Sequence, residues 1–169
     1  MTQLQRAPMP GEAAALARAP FTLEIQDRHP VEAAVVTLHM TPDAISEEIG
    51  GAFGEVAGAM AQAGVGIAGP PFTRYLAFGE VIDAEAGFPV MRPAPDVGRV
   101  HPSLVPGGRT ASMIHVGPYD ALERTYGMLM AALAAKGLHP AGPMWEIYWS
   151  DPETADPATW RTEILVPVG

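Results

Sequence analysis

In Met144-Trp145-Glu146-Ile147-Tyr148-Trp149 one carboxylate stands among rings and aliphatic chains. A second run of alternating large residues, Trp160–Val166, follows the proline- and acid-rich link 150–159. Together they read as a β-hairpin with a long loop. Period two then puts Met144, Glu146 and Tyr148 on one face and Trp145, Ile147 and Trp149 on the other. Taking an ionised carboxylate out of water without a partner is costly. Two bland outcomes avoid that cost: an edge strand with Glu146 in water, or an internal ion pair. In the third, Glu146 lines an apolar pocket and the missing partner is a ligand.

The residues that share this pocket by spacing are Tyr148 and Met144, with Tyr75 and Thr73 from an internal repeat described below. Tyr119, just after Gly117-Pro118 at a helix mouth, and Trp160, beside the long loop, supply a rim. Each aromatic alone is equally at home in a plain core. Aromatic faces around one carboxylate suit an apolar cation or a polarised planar molecule, through stacking, cation–π attraction and one charge-assisted contact.

Other chemistries find little support. The histidines at 29, 39, 101, 115 and 139 are scattered with no HExxH, so no metal site is expected. His115, at a strand end near Tyr119, reads as a satisfied edge histidine. There is no cysteine, and therefore no thiolate ligand or cysteine nucleophile. Ser46, Ser103, Ser112 and Ser150 lack a GxSxG elbow. Neither GxGxxG after a strand nor GxxxxGK[ST] occurs, and no cofactor is expected.

The composition sets the frame in which such a site must be built. Hydrophobic residues make up 48% and charged ones 17%, which is the balance of a folded globular chain. The net charge is −9 and the ten basic residues are unclustered, so direct nucleic-acid binding is not expected. That acidity favours cationic small molecules. No apolar run has the length of a membrane span, and the first residues lack a signal-peptide layout, so a cytoplasmic protein is expected.

The elements follow from periodicity. Residues 1–20 are alanine-rich and bracketed by prolines, with Leu16 the only large apolar residue of a short helical stretch, Glu12–Ala19; a loosely ordered arm is expected. Strands are read at Phe21–Asp27 and Val31–Met40. A helix opens at Thr41-Pro42-Asp43 with a hydroxyl cap and carries Ile45, Ile49, Phe53, Val56 and Met60 as its buried stripe. Gly64 closes it in a left-handed cap. Gly50, Gly51, Gly54 and Gly58 weaken this helix by roughly 1 kcal/mol each, with close packing or a nearby ligand as the two reasons to keep them. Pro71–Phe78 and Val81–Met91 are two further strands. After the linker 92–96 the order returns: strands at Val97–Val105 and Arg109–Val116, a helix at Pro118–Lys136 capped by Gly137, then the hairpin of Glu146.

This recurrence is visible in the letters. Gly64, Ala68-Gly69-Pro70, Phe72 and Tyr75 align with Gly137, Ala141-Gly142-Pro143, Trp145 and Tyr148 at an offset of 73, and Phe88-Pro89-Val90 aligns with Val166-Pro167-Val168 at 78. The expected fold is α+β, with two βαββ modules, 21–91 and 97–168, one helix each, antiparallel sheets and a pseudo-twofold. Their open sheet faces would be buried against each other, with a ligand cleft at the joint. At the offset of 73 the counterpart of Glu146 is Thr73, so the scaffold is symmetric and the charge is not.

His115-Val116-Gly117-Pro118-Tyr119, Leu122, Tyr126, Gly137-Leu138, Gly142-Pro143, Trp145-Glu146-Ile147-Tyr148, Asp151-Pro152, Trp160-Arg161-Thr162-Glu163 and Pro167-Val168 together resemble the GyrI-like, or AraC-type effector-binding, family. The resemblance is dense over 108–168 and diffuse over 21–107. It implies a single effector-binding domain over 21–168 with a central pocket for hydrophobic, often cationic or planar, compounds, and Glu146 as its polar centre. It also implies two alternatives: a hydrolase opening cyclopropane-bearing DNA-alkylating compounds, with Glu146 as general base and Tyr148 or Tyr119 steadying the oxyanion, or a protein partner such as gyrase. Two departures stand out: no DNA-binding module precedes residue 21, suggesting a stand-alone member, and Ala132 replaces an aromatic often found late in the second helix.

Overall fold

The computed structural model describes residues 11–169. A short helix, α1 (Glu12–Ala17), is followed by β1 (Glu24–Arg28), β2 (Val31–Met40), α2 (Ile45–Ala63), β3 (Phe72–Ala77) and β4 (Ile82–Pro89). The second half gives β5 (His101–Val105), β6 (Gly108–Val116), α3 (Leu122–Ala135), β7 (Trp145–Tyr148) and β8 (Arg161–Pro167). Single 3-10 turns, Pro42–Ala44 and Tyr119–Ala121, lead into the two long helices. The expected Thr41 hydroxyl cap is not made; the turn closes instead through the Ala44 amide on the Thr41 carbonyl at 3.0 Å.

All eight strands form one antiparallel sheet in the order β1-β6-β8-β7-β3-β4-β2-β5. The expected α+β fold with a duplicated module is therefore present, but its assembly differs from the sequence expectation in two ways. The modules do not stack face to face. They join edge to edge where β3 pairs with β7, because both are open edges of their own halves and their backbone groups satisfy each other. The first strand of each half also crosses over: β1 pairs with β6 and β5 pairs with β2.

The repeat holds down to single bonds. Ile67 bridges Val90 as Pro140 bridges Val168, and the amides of Ala68 and Ala141 donate to the carbonyls of Pro89 and Pro167, each at 2.8 Å. Both long helices end in a left-handed glycine, Gly64 at φ 70° and Gly137 at φ 68°, with the next amide returning to Met60 and Leu133 respectively.

The helices lie on one sheet face. α2 packs Ile49, Ala52, Val56 and Met60 against Val36, Leu38 and Ala84, while α3 packs Leu129 and Leu133 against Met113, Ile164 and Val166. The four glycines of α2 serve neither suggested purpose: all are exposed, and a methyl group on any of them would meet nothing within 4 Å. Ala15 is buried, and Arg18 reaches Glu163 at 2.9 Å and Glu24 at 2.7 Å; residues 1–10 lie outside the described part. No described helix is long and apolar enough to cross a membrane.

Candidate functional site

Glu146 lies on β7 between two other strands, opposite Ile164 of β8 and Thr73 of β3. β7 is thus an interior strand, and Glu146 is only 4% exposed, which removes the solvated-edge reading. No salt bridge reaches it among the described residues, which removes the ion pair as well. Its partners are phenols. Tyr148 donates to Oε1 at 2.7 Å, Tyr75 to the same oxygen at 3.4 Å, and Tyr126 to Oε2. The partner expected from outside the chain is therefore supplied in part from within, by neutral donors rather than by a countercharge.

Burial raises the Glu146 carboxyl above the ordinary glutamate range, opposed in order by the hydrogen bonds from Tyr126, Tyr148 and Tyr75 and by a smaller contribution from His115. The same burial, and then the negative charge of Glu146, push Tyr75, Tyr126 and Tyr148 upwards. These phenols stay protonated and remain donors. Once Glu146 ionises, the cluster carries one negative charge with no positive side chain bound to it.

A cavity of about 440 Å³ opens beside this cluster, between the sheet and the helix starts. Its wall includes Tyr75, Tyr126, Met130, Met144 and Glu146, with Ile45 of α2 on the far side. Glu123 adds a second, exposed carboxylate, and no lysine, arginine or histidine lines the space. Phe78, 62% exposed, stacks on Tyr75 with ring centres 5.2 Å apart and closes part of the mouth.

Of the residues singled out from the sequence, Glu146, Tyr75 and Met144 line the cavity. Tyr148 donates to Glu146, and Thr73 sits opposite it across the strands, its buried hydroxyl without a partner among the described residues. Tyr119 and Trp160 lie against each other with ring centres 4.8 Å apart and planes tilted by 32°, Tyr119 meets Tyr148 edge-on at 5.8 Å, and neither Tyr119 nor Trp160 lines the cavity. Tyr126 packs its ring with Leu129 and Leu133 on the buried side of α3, and its hydroxyl reaches the carboxylate. His115 is buried and ties β6 to the start of α3, with Nε2 donating to the Pro118 carbonyl at 3.0 Å and Nδ1 2.7 Å from the Thr125 hydroxyl. It therefore fixes the helix turn that carries Tyr126. Among the described residues no three histidine or carboxylate side chains gather as a metal site would need.

Residues 23–169 match the GyrI-like small molecule binding domain. The chain belongs to that family. No curated protein shows significant sequence similarity to this GyrI-like domain. Among solved structures it resembles EcmrR in a DNA complex, with a TM-score of 0.74 at 19% identity, covering 87% of this chain and 57% of that one. The domain thus spans little more than half the EcmrR chain. An uncharacterized conserved protein from Listeria innocua gives 0.72 at 17% identity, over 96% of this chain and all of that one. SAV2435 bound to tetraphenylphosphonium gives 0.54 at 12%, over 88% and 94%. At these identities the likenesses concern the fold of the GyrI-like domain.

Proposed function

We propose that the chain binds a hydrophobic, positively charged small molecule in the 440 Å³ cavity, with Glu146 as the group that recognises its charge, in sequestration or sensing. The observation that carries this reading is the 4% exposed carboxylate whose donors are all neutral. Such a charge is costly in the empty site, and a cation lowers that cost on arrival. Aromatic walls contribute cation–π attraction of about 0.5–2 kcal/mol, and the methionines supply polarisable, adaptable surface. A structural neighbour holds tetraphenylphosphonium, a ligand of the same chemistry.

The same geometry weighs against hydrolysis. A carboxylate offers about four lone-pair positions, and three phenols already occupy three of them. Only about one position is left for a water. Binding is tested by calorimetric titration of the chain with tetraphenylphosphonium: a saturable one-to-one isotherm supports the reading, and no heat up to millimolar ligand overturns it.

A further inference from the structure

The sheet has a second, larger hollow on the face turned away from α2 and α3. A half-open hollow of about 570 Å³ lies where β1, β2, β3, β5, β7 and β8 bring the other half of their alternating side chains together, with α1 along one side. Its apolar wall is formed by Trp145, Ile147 and Trp149 from the β7 strand and its end, Phe72 from β3, and Val31 and Val105. The volume falls within the range of small-molecule pockets.

The polar atoms on this wall are unbalanced in one direction. Glu163, 3% exposed, has its charge paired: Arg18 donates to it at 2.9 Å and Arg28 at 2.7 Å, and the Trp149 indole adds a bond at 3.2 Å. Arg18 also holds Glu24 at 2.7 Å. The acids that face the hollow are thus spoken for, whereas two donors are not. Trp145 is fully buried, and its indole Nε1–H has no acceptor among the described residues; the Arg28 Nε–H is likewise buried without one. A buried donor left unmet is costly, and native folds rarely leave one without a reason. The unmet buried groups on this wall are donors, and a cation would only add more of them.

We propose that this hollow is a second small-molecule site, separate from the one beside Glu146, for a flat apolar compound bearing an acceptor oxygen such as a sulfonate, carboxylate or carbonyl. Its rings lie against the half-buried Ile147 and Trp149, and its oxygen takes the orphan indole and guanidinium protons. The two faces of one sheet then select opposite chemistries. Glu146 on β7 turns to the helix side and takes positive charge, while Trp145, its neighbour in sequence, turns to the other side and offers a donor.

The test is calorimetry on the full chain with two acceptor probes, 8-anilinonaphthalene-1-sulfonate (anionic) and 2-acetonaphthone (neutral), with naphthalene as the acceptor-free control. The sulfonate binds at one-to-one stoichiometry and is not displaced by saturating tetraphenylphosphonium; 2-acetonaphthone competes with it and naphthalene does so poorly. Trp145→Phe, which keeps a ring and removes the N–H, weakens the sulfonate 5- to 20-fold. Val31→Trp, at a position 42% exposed on the rim, fills the hollow and abolishes binding even if the Trp145 variant does not fold. Displacement by tetraphenylphosphonium, full affinity in the folded variants, or no sulfonate binding at millimolar probe overturns the proposal. Tetraphenylphosphonium alone reads only the Glu146 cavity, so failure at one site is not mistaken for failure at the other.

Discussion

Thr73 and Glu146 face each other across the antiparallel β3–β7 pair, at the seam where the two halves of the sheet join. They are also equivalent positions of the repeat, 73 residues apart. The pseudo-twofold axis therefore passes between them, and a perfectly symmetric duplication would set two identical side chains directly opposite. Two glutamates there would be like charges at cross-strand distance, both buried. Only one of the pair can hold a charge, which gives the asymmetry a physical reason.

Thr73→Glu tests this geometry. Thr73 is fully buried, so the variant forces two carboxylates to share one site and one of them to keep its proton. Its melting temperature at neutral pH falls well below wild type and recovers towards acid pH. A thermal melt series from pH 4 to 8 reads the effect; equal melting at pH 7 would show that the two positions do not couple.

Glu146 itself weakens the unliganded fold near neutrality. Its folded-state pKa lies above that of the unfolded chain because of burial. Between those two values the folded protein holds a proton that the unfolded chain has released, so stability falls as pH rises through that interval. Glu146→Gln removes the loss. It melts a few degrees above wild type at pH 7, where a gain of about 1 kcal/mol corresponds to about 2–4 °C. The gain disappears below about pH 4, where the glutamate is protonated in both states.

The three phenols do not contribute equally. Tyr148 sits at 2.7 Å from Glu146 and Tyr75 at 3.4 Å, while Tyr126 alone serves Oε2. Carboxyl-carbon NMR titration of Glu146 should find its pKa raised further by about 1–2 units in Tyr126→Phe and Tyr148→Phe, given about 1.5–3 kcal/mol for a hydrogen bond to a charged group. Tyr75→Phe should move it least. A uniform response would contradict the geometry.

Helix α2 carries glycines with no structural task. Gly50→Ala, Gly51→Ala, Gly54→Ala and Gly58→Ala each meet open space. Each should stabilise the chain by up to about 1 kcal/mol in urea unfolding. A loss of stability at any of them would reveal a contact that the fold does not show.

Much of this was legible in the letters, and the rest was hidden for definable reasons. The offset of 73 and the alternation around Glu146 are local patterns, and they gave the modules, the strands and the carboxylate. The pairing of β3 with β7 and the crossing of β1 and β5 are long-range choices between strand edges that look alike in sequence. Tyr126 shows the limit of periodicity: spacing places its ring on the buried helix face but does not say where the hydroxyl finds an acceptor. Tyr119 and Trp160, read as a rim, lie against each other because the long loop folds back over the α3 entrance, with the Trp160 indole donating to the Ala155 carbonyl at 2.9 Å. The second hollow went unread because Trp145 and Glu163 look like ordinary core and surface residues until the N-terminal helix is placed.

The most direct measurement is isothermal titration of wild type and Glu146→Gln with tetraphenylphosphonium at pH 7. A buried carboxylate that recognises the charge makes the glutamine variant weaker by about 1–3 kcal/mol, roughly 5- to 150-fold, and makes wild-type affinity fall as pH drops through the raised Glu146 pKa. Equal affinity in the two proteins, with no pH dependence, would contradict Glu146 as the recognition group.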